Sequence, residues 1–398
     1  MIFHIPNIDI MITGLCNLRC KYCFEEEKCK PNLDFKDFKK YLDEDGVMDY
    51  FLFGGEPFVN VQFLKDLFTY YKERKDIPYP IKRKMNNGLR HIITNGTLLE
   101  KNAEFIKDND LGLQLSLDGP KEVTDMNRID TLGRGVYDSV MKNLKHMLDL
   151  YGIEKTLDYT FHGVINKETL KYYADITYWH MDMMLETAKY RKSHGENIDS
   201  IEYAINMLKK NTFMIIFEEE YSDTDIDVII EQMFILADRV MHDERFTPEQ
   251  RRSISNNIFR RKGGVCGAGS ALVAVDSSLD FFPCHRCADG SPETKVGNIY
   301  DCENIEGYKL MNAFYDMSKV SQTQYSTQYI NHGYNNNFKG FNWCPSTNLE
   351  TSGNPYYVNS KYVILMLECD RVANVIIKKY NLREAKNDNR NRQQNNFC

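Results

Sequence analysis

The 398-residue sequence contains no apolar run approaching the ~20 residues needed to cross a bilayer, so a membrane-spanning helix is not expected. Its start, "MIFHIPNIDIMITGL", lacks the basic segment and small-residue cleavage site of a secretory signal. It has no basic excess either. With a formal net charge of −7, it lacks the positive footprint of a chain that grips phosphate backbones. No internal repeat is visible. The 11 cysteines are an odd number, which argues against a disulfide framework and for reduced thiols, as in the cytoplasm. Hydrophobic content of 42% and charged content of 27% are globular values, and the length allows one large or two ordinary domains.

Short apolar runs alternate with amphipathic stretches through the first half. Strands are expected at 8–13, 50–53, 90–94, 112–117 and 157–164. Helical faces are read in Val61, Leu64, Leu67, Phe68 and Tyr71, and in Val136, Val140, Leu144 and Leu148. Strand and helix in alternation predict an α/β fold with a parallel sheet, whose ligands sit at the carboxyl ends of the strands. Residues 168–260 read as mostly helical, with one strand at 212–217, a long amphipathic run at 225–241 and a helix start capped by Thr247. The expected domains are 1–220, a helical connector at 221–262, a cysteine-rich region at 263–380 and a disordered tail at 381–398.

Three cysteines fall inside eight positions in "CNLRCKYC", at Cys16, Cys20 and Cys23. Four readings are open: a buried helical stripe at i, i+4 and i+7, a zinc site completed by Cys29 or His4, a redox pair, or an iron–sulfur cluster. A four-iron cluster normally takes four thiolates, so three leave one iron open for a ligand.

The motif resembles the CxxxCxφC signature of radical S-adenosylmethionine (SAM) enzymes, with Tyr22 as the aromatic. The resemblance extends through "FGGEP" (53–57), "ITNGTLL" (93–99) and "SLDGPKEVTDMNR" (116–128). It implies a partial (β/α)6 TIM-like barrel, with a 4Fe–4S cluster on Cys16, Cys20 and Cys23 and SAM chelated at the open iron. Reductive cleavage of SAM to a 5′-deoxyadenosyl radical is the implied chemistry. Tyr22, Gly54, Gly55 and Asn95 are implied at the SAM site. Glu56 is implied on the SAM ammonium, Ser116 and Asp118 near its ribose or carboxylate, and Arg128 on its carboxylate. Ser116, Asp118 and Arg128 also read as a turn with a surface ion pair, and "GGEP" as a plain turn.

"CGAGSALVAVDSSLDFFPCHRC" (266–287) resembles a SPASM or twitch extension, which binds auxiliary clusters in peptide-modifying maturases. Leu279 stands where that pattern expects glycine, and the CxxCx5CxxxC segment of a full SPASM domain is missing. One auxiliary 4Fe–4S cluster is implied, on Cys266, Cys284, Cys344 and Cys369, with Cys287 as substitute and Cys302 behind it. A zinc site on Cys266, Cys284, His285 and Cys287 is the alternative. His285 replaces an aspartate that serves as a base in sulfatase-maturing relatives. It reads first as a buried histidine bonded to backbone.

The expected function is oxidative modification of a peptide or small-protein side chain, a thioether or other cross-link for example, with a flavodoxin or ferredoxin as electron donor. No nucleic acid or membrane partner is expected. The alternatives are a twitch-type dehydrogenase of a small alcohol or sugar, and a non-catalytic zinc-stabilised scaffold. About seven residues precede the first expected strand, so a leader sequence is expected to bind elsewhere than on an N-terminal arm.

Overall fold

Strand β1 (Asn7–Met11) carries Ile8, Asp9, Ile10 and Met11 with almost no exposed surface, so both of its faces are covered, as in the middle of a parallel sheet. The computed structural model describes residues 7–25, 31–45, 49–74, 91–151, 157, 159–208, 212–215, 221–259, 268–269, 272–288, 294–300, 312, 346, 349, 353–354 and 360–380. The chain forms two compact units: 1–117 with 124–160 and 267–318, and 118–123 with 161–266 and 319–398.

In the first unit, β1 lies parallel to β2 (Asp49–Phe53), with Asn7 opposite Asp49 and Met11 opposite Phe53. Strand β3 (His91–Thr94) pairs with β2 and with β4 (Gly112–Ser116), both in parallel. Helices α1 (Phe35–Asp45), α2 (Val61–Glu73), α3 (Ala103–Asp108) and α5 (Tyr137–Tyr151) fall in the stretches between strands. The buried face of α2 is Phe63, Leu64, Leu67 and Tyr70, and that of α5 is Val140, Asn143, Leu144, Met147 and Tyr151. Each face is thus rotated from the one the apolar pattern suggests. Val61, Phe68, Tyr71 and Leu148 are only half-buried, and Val136 precedes α5.

The other side of β1 is covered by β7 (Leu272–Val275), again in parallel, and β7 turns back into β8 (Asp280–Phe282) as an antiparallel hairpin. The strand pair read in "ALVAV" and "LDFFP" is therefore present, and it extends the sheet that β1 to β4 begin. At its turn the Asp276 carboxylate accepts the N–H groups of Ser278 and Asp280, both at 2.9 Å. Leu279 takes φ +64°, the left-handed conformation that explains the expected glycine, while its side chain is buried.

The second unit holds most of β5 (Tyr159–Ile165), parallel to β6 (Thr212–Ile215), together with α4 (Lys121–Asn127) in part and the long helices. These are α6 (Tyr173–Ser193), α7 (Ser200–Leu208), α8 (Asp223–Met241), α9 (Pro248–Phe259) and α10 (Ser360–Lys379). Ser222 and Asp225 close a capping box at the start of α8, and Thr247 and Gln250 do the same for α9. Helix α10 packs on α8 and α9. The architecture is α/β with a mainly parallel sheet, a partial (β/α)6 TIM-like barrel. Among the described residues no helix is long and apolar enough to cross a membrane. The tail at 381–398 lies outside the described residues.

Candidate functional site

The loop leaving β1 carries Cys16, Cys20 and Cys23, all half-buried. It is not helical, so the cysteines do not form a buried stripe. The Arg19 guanidinium folds back onto the carbonyls of Cys16 (2.9 Å) and Leu18 (2.7 Å). The backbone N–H groups of Arg19 and Lys21 donate to the carbonyls of Ile129 (2.8 Å) and Asn127 (3.0 Å), which docks the loop on the segment after α4. Buried Arg128 stacks on the Tyr22 ring, 5.4 Å from its centroid.

The "GGEP" loop after β2 lies against the same stretch. Gly55 N–H donates to Thr13 O and Glu56 N–H to Leu15 O, each at 2.9 Å. Gly54 has φ +147°, and a Cβ there would lie 2.2 Å from Thr13 O. At Gly55 a Cβ would lie 2.4 Å from Leu15 O, so both glycines are demanded by backbone proximity.

Glu56 is fully buried. Its Oε1 accepts Phe58 N–H (3.1 Å) and the Thr94 hydroxyl (2.8 Å), and its Oε2 accepts Asn95 N–H (2.8 Å). Burial pushes its carboxyl up to about 7, against the pull of those three donors. The Asn95 side chain then turns to the cysteine loop. Its Nδ2 donates to Asn17 Oδ1 at 3.0 Å and points at Cys16 Sγ at 4.0 Å. Its Oδ1 accepts the N–H and hydroxyl of Thr97, at 2.9 and 2.6 Å, and Asn17 Nδ2 donates to Thr97 Oγ1 at 2.8 Å. The loops after β1, β2 and β3 are thus one hydrogen-bonded block. Thr94, Thr97 and Asn17 belong to it although the sequence does not single them out; their positions inside the motif stretches are the only available signal.

Ser116 is half-buried at the end of β4. Asp118 is buried, and its Oδ1 accepts Val164 N–H at 3.1 Å. Three thiols on one irregular loop are a donor set for a cluster that takes one thiolate per iron. A single zinc ion instead draws its sulfurs to about 3.8 Å from one another. Among the described residues no three His, Cys, Asp or Glu side chains gather as a cage for one ion.

In the second cysteine region, Cys284 and Cys287 are buried at the ends of one 3₁₀ turn, with sulfurs 3.8 Å apart. Their mutual hydrogen bond and burial push the Cys284 thiol well up. The structure therefore sets Cys287, the substitute ligand, beside Cys284. Cys369 is buried on α10 in the second unit. Cys29, Cys266, Cys302 and Cys344 lie outside the described residues. His285 is half-buried rather than buried, and among the described residues its ring meets a side chain, not backbone. Its Nδ1 meets the Asp9 carboxylate at 2.8 Å, and the rings of Phe24 and Phe53 lie 6.2 and 5.7 Å away. Burial works against a charged ring there, but the Asp9 carboxylate raises it to about 9. Asp9 was invisible as a partner in the sequence because it becomes one only when β7 pairs beside β1.

The cysteine loop and the "GGEP" loop lie at the strand ends of a parallel α/β sheet, and residues 10–176 match the model of the Radical SAM superfamily. That class uses a 4Fe–4S cluster and SAM. The chain is similar to the cysteine-type anaerobic sulfatase-maturating enzyme of Clostridium novyi (strain NT), 31% identical over 172 residues, 39% of this chain. The match spans only 42% of that relative's length. It is also similar to the serine-type anaerobic sulfatase-maturating enzyme of Bacteroides thetaiotaomicron, 28% identical over 74% of this chain and 72% of the relative. Among solved structures, native anSMEcpe with bound AdoMet superposes with a TM-score of 0.61 at 18% identity, over 94% of this chain and 99% of that one. The same protein with AdoMet and a peptide gives 0.64 at 17% identity, over 94% and 98%. At that identity the likeness concerns the fold.

Proposed function

We propose that the chain modifies a peptide or small-protein side chain by radical SAM chemistry, with Cys16, Cys20 and Cys23 as the thiolates of the SAM-binding cluster. The observation that carries this reading is the block of three strand-end loops, in which two obligatory glycines and buried Glu56 and Asn95 are all drawn onto the cysteine loop. When bound and reduced, such a cluster supplies an electron that cleaves SAM to a radical able to take hydrogen from an unreactive C–H bond.

The chain's own residues hold and orient. The backbone of Gly54 and Gly55 offers close approach without side chains in the way. Tyr22 and Arg128 present an aromatic face and a planar, permanently charged fork beside the cysteines, suited to a carboxylate. Ser116 and Asp118, at and just beyond the end of β4, are the polar groups for a ribose. The peptide substrate is supported by the sulfatase-maturating relatives and by the peptide in one anSMEcpe structure. An auxiliary 4Fe–4S cluster is the proposed role of the second cysteine region, with Cys284, Cys266, Cys344 and Cys369 as ligands and Cys287 as substitute. A thioether or other cross-link is the proposed product class. The odd number of cysteines supports a reducing compartment, proposed as the cytoplasm, and a flavodoxin or ferredoxin is the proposed electron donor.

The test is anaerobic reconstitution followed by iron and sulfide analysis and a search for 5′-deoxyadenosine after reduction with SAM. About eight irons per chain are expected with two clusters and about four with one. Zinc in place of iron, with SAM left intact, would overturn the reading.

A further inference from the structure

Resemblance assigns Glu56 to the SAM ammonium, but its carboxylate has no surface to offer. It is wholly buried and accepts hydrogen bonds from Phe58 N–H, Thr94 Oγ1 and Asn95 N–H. Each of these donors lies within the protein, and two of them fix the loop after β3. That loop carries Asn95, whose side-chain amide reaches Asn17 at 3.0 Å and Cys16 Sγ at 4.0 Å. A second donor, Leu18 N–H, reaches the same sulfur at 3.4 Å. Thr97 fixes the rotamer of Asn95 by donating twice to its Oδ1, so the amide N–H₂ is aimed at the cysteine loop.

We propose that Asn95 is a positioning residue that sets the reduction potential of the cluster site through the sulfur of Cys16, and that Glu56 serves by holding Asn95 rather than by touching SAM. This rests on the reading of Cys16 as a cluster ligand. The physical cause is the charge on the ligand sulfur. Reduction adds negative charge to the cluster and its thiolates, and an N–H donor stabilises the sulfur more in the reduced state. The donor therefore raises the potential, and its removal lowers it. The effect concerns the one cysteine of the three whose neighbouring residue, Asn17, is also gripped by Asn95. Loop position and sulfur electrostatics are controlled by one side chain.

The test is redox titration of the reconstituted, SAM-free cluster, followed by electron paramagnetic resonance, in wild type, N95D, N95A and E56Q. N95D keeps the acceptor for Thr97 but replaces the N–H₂ donor with a charged oxygen. It is expected to lower the reduced-to-oxidised ratio at fixed potential by at least tenfold, about 59 mV for a one-electron couple. N95A moves in the same direction by less. E56Q, in which an amide nitrogen must face an N–H or O–H donor, also lowers the potential and alters the cluster spectrum, while SAM affinity changes by less than threefold. Since N95D is nearly isosteric, it remains informative if N95A fails to fold. Unshifted potentials in N95D and E56Q, with SAM affinity in E56Q reduced tenfold or more, would overturn the proposal and return Glu56 to the ammonium. If wild-type protein takes up no cluster at all, the reading of Cys16 fails and this inference falls with it.

Discussion

Replacing Gly55 by alanine should dislodge the "GGEP" loop from the cysteine loop. The added methyl would sit 2.4 Å from Leu15 O, 2.6 Å from Leu15 C and 2.8 Å from Gly14 O, all backbone atoms that cannot rotate away. To reach ordinary contact the two loops must part by about 1 Å. The hydrogen bonds Gly55 N–H to Thr13 O and Glu56 N–H to Leu15 O, both 2.9 Å, cross this same gap. Two net hydrogen bonds at about 1 kcal/mol each, with about 1–3 kcal/mol of overpacking, give a loss of about 3–5 kcal/mol. G133A is the control, because Gly133 has φ +77° but nothing within 4 Å of a Cβ. It should cost only about 1–2 kcal/mol of backbone strain. Thermal unfolding and iron content after identical anaerobic reconstitution measure both. G55A should lose most of its iron and melt well below G133A. A G55A protein that matches wild type in iron and melting temperature would refute the close approach on which the site is built.

Glu56 titrates near 7 when folded against 4.5 in a free chain, so the native state holds a proton that the unfolded state releases between those values. Its contribution to stability is therefore greatest at low pH and declines as pH rises from 4.5 through 7, by up to about 3 kcal/mol. The melting-temperature advantage of wild type over E56Q should shrink across that window; a gap that widens contradicts the sign. L279G relieves the left-handed strain at φ +64° but removes a buried side chain, and denaturation should show a net loss of about 1–3 kcal/mol. R128K keeps the charge but loses the planar fork on Tyr22, and calorimetry should find SAM bound at least tenfold more weakly with iron content unchanged.

The part of the site within single loops was legible in the sequence. Cysteine spacing, paired glycines and a turn-forming "TNG" are local statements, and each fell at the end of a strand that apolar runs had already marked. The strand pair after Cys266 was legible for the same reason, and the left-handed backbone at Leu279 shows why a glycine is expected there. Contacts between distant stretches were not legible. His285 meets Asp9 only because β7 lies beside β1 in register, and no local pattern announces that pairing. The carboxylate of Glu56 looked available because the sequence cannot show that Phe58, Thr94 and Asn95 all turn their donors toward it. Helix faces were rotated for a related reason: Phe63 and Tyr70 in α2 are chosen by what packs against them, not by the apolar period alone.

Cys16, Cys20 and Cys23 are proposed to hold a cluster whose fourth iron binds SAM. Electron–nuclear double resonance on the reduced cluster with SAM labelled by nitrogen-15 at its amino group reads that bond directly. A hyperfine coupling from the labelled nitrogen, lost in C16A, C20A and C23A, is the predicted result. A cluster that forms but shows no such coupling, with all four irons held by protein ligands, would contradict it.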